Sequence, residues 1–194
     1  MSKSDPAASK KERNKTIRWV VTIFLATILI SGTISFVSDE IMERSSMFVA
    51  FIILFAIVLV GIIFDVIGVA VTSADEKPFH SMAARKVPGG AEAIRLLRNA
   101  ERVSSICNDV VGDICGVVSG SASATIAAQI LQNFSFSWSD VISLIMSGLV
   151  AGLTVGGKAI GKTFAINSCT KIVAGVGSVI YLFQHIPELF KKKK

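Results

Sequence analysis

Four apolar blocks, each close to twenty residues or longer, decide what this chain can fold into: Trp19–Val37, Phe48–Thr72, Val103–Leu131 and Val141–Ile166. A helix needs about twenty apolar residues to cross roughly 30 Å of hydrocarbon. Inside a bilayer the backbone must bond to itself, so only helices and closed barrels span it. Barrel strands would alternate in polarity, and these blocks do not. The fold class is therefore an all-α integral membrane protein with four transmembrane helices. The apolar share, 52% of 194 residues, would not alone demand this; the clustering does. No small-residue cleavage site follows the first block, which reads as a retained span and not a signal peptide.

Basic residues set the expected orientation. Residues 1–18 carry six Lys/Arg, residues 74–102 another six and residues 167–194 five, whereas the loops Ser38–Met47 and Gln132–Asp140 hold only Arg44. The positive-inside bias places both termini and the middle loop in the cytoplasm of a multi-pass cell-membrane protein. A fifth stretch, Lys171–Ile186, ends at Pro187 before Lys191–Lys194. Spanning would carry those lysines outward, so it is expected as a C-terminal interfacial amphipathic helix held by anionic inner-leaflet lipids. In the middle loop, Pro88-Gly89-Gly90 divides two helical pieces, giving a cytoplasmic helix-turn-helix with Arg95, Arg98 and Arg102 turned to water or lipid phosphate. Nucleic acid is not expected as a partner.

Small residues recur every fourth position along the third block, at Gly112, Gly116, Gly120, Ala124 and Ala128, and along the fourth, at Gly148, Gly152 and Gly156. Such stripes let helix backbones approach closely in lipid. They predict a tight antiparallel pair of the last two spans; a glycine-lined path or a dimer face is the alternative. Cys107, Cys115 and Cys169 lack a framework spacing and read as buried free thiols. With only His80 and His185, there is no zinc ligand cluster.

The charged residues deepest within the blocks are Asp65, Asp109, Asp113 and Lys158. Each costs about 2.5–3.5 kcal/mol on insertion scales, which makes each a candidate for function. At about 1.5 Å of rise per residue, three helices bring these charges to a common level in the cytoplasmic half. Asp109 and Asp113, four apart, share a helix face. The group predicts either a polar cavity that could take a hard cation or a buried ion pair in which Lys158 neutralises an aspartate.

The segment Gly157-Lys158-Ala159-Ile160-Gly161-Lys162-Thr163-Phe164-Ala165 resembles the G-E-x-x-P-K-x-x-A motif that ends the last span of the CNNM/CorC/CorB magnesium-transporter transmembrane domain. It matches at Gly157, Lys162 and Ala165 and departs at Lys158 and Gly161. Asp65 to Ser73 is similar to the family's S-G-S-E-x-A-x-x-S segment at Ala70 and Ser73, and Val111-Gly112-Asp113-Ile114 to its I-G-N-N motif, although a short shift places Asn108 there. The resemblance covers about residues 48–190, including the helical loop 74–102 and a juxtamembrane helix over 171–190. Residues 1–18 are then a basic tail, 19–47 an added span with its outer loop, and 191–194 a lysine tail. It implies a dehydrated magnesium ion as cargo and a homodimer. The candidate ion-site positions are Asp65, Asn108, Asp109, Asp113 and Lys158, with the family's glutamate replaced by Lys158. The family's CBS and CorC-type domains have no counterpart in these 194 residues.

Two functions follow: a magnesium or other cation transporter with a rewritten site, or a non-transporting subunit, regulator or scaffold whose cavity a Lys–Asp pair locks. No cofactor is expected. An enzyme is not expected either, because no nucleophile–base pair or metal triad stands out.

Overall fold

The computed structural model describes residues 6–133 and 139–191, all of them helix or short connection. In chain order the helices are α1 (Pro6–Arg44), α2 (Met47–Ser73), α3 (Lys77–Ala84), α4 (Gly90–Arg98), α5 (Ala100–Ser105), a π-helical segment Ile106–Val111, α6 (Gly112–Asn133), α7 (Ser139–Asn167) and α8 (Cys169–Lys191). Four stretches are long and apolar enough to cross a membrane: Thr16–Met42, Met47–Ser73, Ala100–Gln132 and Val141–Asn167. The protein is an all-α, multi-pass bundle. The third span is a continuous rod made of α5, the π segment and α6.

The helices outrun the apolar blocks because helix formation does not stop where hydrocarbon does. α1 extends through Ser38–Arg44, where a loop is expected, leaving Ser45 and Ser46 as the connection. Ser45 closes that turn by donating its N–H to Met42 O at 3.2 Å and its hydroxyl to Ile41 O at 2.6 Å. α8 likewise runs past Pro187, since a proline forgoes one backbone bond without having to end a helix. Parts of the expected 132–140 loop and of the lysine tail, residues 134–138 and 192–194, lie outside the described residues, as do residues 1–5 of the basic tail.

Glycines at crossing points fix the register. A Cβ added at Gly61 would stand 2.9 Å from Cys115 Cβ, and one at Gly68 would collide with the Asn108 amide. Gly157 and Gly161 leave the same room for Ile62 and Val66. α2 thus runs antiparallel to the third span and alongside α7 in the same direction, with Asp65 near the levels of Val111 and Ile160. On α1, Asp39 accepts hydrogen bonds from Ser121 (2.8 Å) and Thr125 (3.4 Å), while Gln129 donates to Met42 O at 2.8 Å. These bonds seat α1 on α6.

That register aligns one slab of about twenty residues per helix, roughly 30 Å thick: residues 20–40, 50–70, 106–126 and 145–165. Its exposed large side chains are mainly apolar, from Val20, Ile106 and Phe164 at one edge to Val37, Phe51 and Ile145 at the other, with Asp109, Asp113 and Lys162 exposed among them. Trp19 sits just outside, where an indole suits the interface. Two apolar clusters hold the bundle. One joins Met42, Ala50, Leu54, Val58, Ala122 and Ile126 in the half nearer the α1–α2 turn. The other joins Ala70, Val71, Phe79, Ala93, Leu97, Ala165 and Val173 at the opposite, basic end.

At the basic end the expected helix-turn-helix is α3 and α4, joined through Gly89 at φ +86°, a left-handed conformation that glycine adopts without strain. α8 crosses this turn. A Cβ on Gly177 would stand 2.5 Å from Gly89 O, and the Ser178 hydroxyl donates to Pro88 O at 3.3 Å. α8 is therefore bound to protein along Val173 and Gly177, with Val179, Leu182 and Phe183 left exposed.

Candidate polar site between the apolar clusters

Asp65 lies on α2 one turn before the basic-end cluster begins, and its carboxylate is buried. Helix direction, set by the Gly61 and Gly68 contacts, turns it toward the third span and α7. From α7, Lys158 brings Nζ to 4.0 Å from Asp65 Oδ1, with side-chain exposures of 23% and 6%. That distance makes an ion pair without a direct hydrogen bond. The ammonium fits because the third span offers only Gly112 opposite it: a Cβ there would lie 3.4 Å from Nζ.

Asn108, on the π segment, packs against α2 at Gly68, three residues after Asp65. Its Nδ2 donates to Ser104 Oγ at 3.2 Å, and its Oδ1 packs where Gly68 has no side chain. Asp65 Oδ2 and Asn108 Oδ1 are buried without a hydrogen-bond partner among the described residues. Between the apolar clusters, Asp65 thus has one ammonium beside it, while Asp65 Oδ2 and, at Gly68, Asn108 Oδ1 stay unpartnered. The low dielectric there strengthens the Asp65–Lys158 attraction and makes either charge costly alone.

The remaining candidates separate from this pair. Asp109 and Asp113 are exposed on the outer side of the third span, so the convergence expected of four charges gathers only Asp65 and Lys158. The reason is the π turn: its i→i+5 bonding changes the angular step across 106–111, and a uniform α period does not anticipate which residues turn inward. The glycine stripes also depart from expectation. A Cβ at Gly116, Gly120, Gly148, Gly152 or Gly156 would meet nothing within 4 Å. Close approach within the chain uses Gly61, Gly68, Gly157 and Gly161 instead, because α2 is the helix both last spans pack against. Of the stripes, only Gly112 contributes, by making room for Lys158.

Asp39 was not among the expected intramembrane groups, since the loop was placed around it. Its signal lay in the third span, where Ser121, Thr125 and Gln129 repeat every four residues on one face. All three cysteines are free, as expected, with Cys107 buried and Cys115 and Cys169 partly so. No set of three or more His, Cys, Asp or Glu side chains gathers to hold a metal among the described residues. Comparison with known proteins gives no significant match: no protein-family model, curated protein or solved structure matches this chain.

Proposed function

We propose that this chain is a non-transporting membrane module, a subunit or scaffold, whose inner cavity is closed by the Lys158–Asp65 pair on a bundle resembling the CNNM/CorC/CorB transmembrane domain. One observation carries the reading: the Lys158 ammonium stands 4.0 Å from the buried Asp65 carboxylate, at the level where a cargo cation would need that carboxylate. A divalent cation asks for about six oxygen ligands. Here one carboxylate is neutralised by a tethered cation, and conduction needs a site that binds and then releases its ion. The pair does neither. In this reading the basic end faces the cytoplasm, where Arg95, Arg98 and Arg102 meet anionic lipid.

A second reading keeps some support from the unpartnered Asp65 Oδ2 and Asn108 Oδ1. Both are ligands a hard cation would use if Lys158 were a carboxylate. Magnesium uptake into proteoliposomes, native chain against Lys158→Glu, separates the two. The closed-cavity reading expects no flux from the native chain. Saturable native flux would overturn it. Flux confined to the variant would identify Lys158 as the plug in an otherwise competent site.

A further inference from the structure

The outer face of the third span is open. Asp109, Asp113, Gly116, Gly120, Ala124 and Ala128 are all exposed along it, and a Cβ at Gly116 or Gly120 would meet nothing within 4 Å. Two cavities open on this face. A cavity of about 560 Å³ opens over Ala124, Thr125 and Ala128, and one of about 270 Å³ over Gly116 and Gly120. They lie at successive levels along the third span, where a docked helix would pass.

Charge says what kind of helix. Within the slab, Asp113 lies at about the level of Lys158, roughly 10 Å inside the basic-end edge, and Asp109 about 5 Å inside. Neither has an ion-pair partner among the described residues. A carboxylate on its one-carbon stem cannot reach the headgroups from Asp113's depth, and lipid contact there is costly. Among the described residues, no spare cation lies at that level. Lys158 is engaged by Asp65, and Lys162, four residues nearer the edge, has a stem long enough to carry its charge to the interface. A second copy fails for another reason. A two-fold axis along the membrane normal sets a face against itself, so Asp113 would meet Asp113, and like charges in juxtaposition are penalised.

We infer that the Asp109–Asp113–Gly116–Gly120 face docks a transmembrane helix of a different protein, one that carries a lysine or arginine at the depth of these carboxylates. The inference rests on the reading of the chain as a subunit and names the chemistry of its partner. The glycines admit the partner backbone, and the acids select its charge.

The test uses the full chain in its own cell membranes, with a photo-crosslinking residue at Val117, 62% exposed on this face. Leu149, 64% exposed on the lipid side of α7, is the control position. The expected adduct at Val117 joins a different membrane protein through a segment containing Lys or Arg. Asp113→Asn should lower its yield about tenfold or more. Asp113→Lys, combined with Asp in place of the partner's basic residue, should recover it. Gly120→Ala should also lower the yield, and because nothing lies within 4 Å of the added Cβ the chain itself still folds. An adduct with a second copy, with lipid alone, or equally at Leu149 overturns the inference, as does one indifferent to both substitutions. The crosslink reads contact, not flux. A chain that conducts yet gives this adduct overturns only the closed-cavity reading, and a silent chain with no adduct overturns only the partner.

Discussion

At the scale of single residues, the Lys158–Asp65 pair and the crossing glycines carry different tests. Lys158→Met leaves a buried carboxylate uncompensated and should cost about 2–4 kcal/mol, the lower end reflecting the 23% exposure of Lys158. Thermal unfolding in detergent would register it, and Asp65→Asn combined with Lys158→Met should recover most of the loss. Equal stability of the single and double variants would mean that the pair contributes nothing. The glycines divide by surroundings, not by motif. Gly68→Ala forces its methyl into Asn108 and should destabilise by about 1–3 kcal/mol. Gly116→Ala meets open space and should be neutral or stabilising by up to about 1 kcal/mol in the isolated protein. Sequence spacing singled out Gly116 and passed over Gly68, because a four-residue repeat records that a face is smooth but not which helix lies on it. Lys158 and Asp65 were legible as charges in apolar surroundings; their pairing needed the register of three helices.

Among the elements, α1 and α8 are the attachments whose docking can be loosened separately. α1 depends on hydrogen bonds from Ser121 and Thr125 to Asp39 and from Gln129 to Met42 O. Asp39→Ala should leave α1 helical while raising proteolytic release of that helix from detergent-solubilised protein. Unchanged release would show that apolar contact alone retains it. α8 depends on the approach of Gly177 to Gly89. Gly177→Val should raise hydrogen exchange in residues 169–185 and in the α3–α4 turn together, since each covers the other; exchange rising in α8 alone would sink the crossing. The existence of α2 and α7 followed from apolar run length. The ends of α1 and α8 did not, because polar residues extend a helix beyond the slab at little cost. The π turn in the third span was invisible to periodicity: six residues with a smaller angular step are too few to alter a pattern summed over some thirty positions.

For the whole molecule, four spans place the start of α1 and the α3–α4–α8 assembly on one side, with the α1–α2 turn on the other. With the basic end in the cytoplasm, as proposed, an impermeant thiol reagent applied to intact cells should label Ser45→Cys but not Lys86→Cys; the opposite labelling would reverse the proposed orientation, and equal labelling of both would break the topology. The fold class was readable because the bilayer leaves so few solutions for a chain of this composition. The tertiary pairing was not, because α2 is apolar nearly all round and its partners are chosen by notches one methyl wide. The position of the ion pair along the chain has a further consequence, for biogenesis. Asp65 leaves the ribosome 93 residues ahead of Lys158. At about 5–20 residues per second, that interval is roughly 5–20 s. During it, the second span must sit in or beside the insertion machinery with an acid that has no counter-charge, so its final commitment to lipid waits on the arrival of the last span.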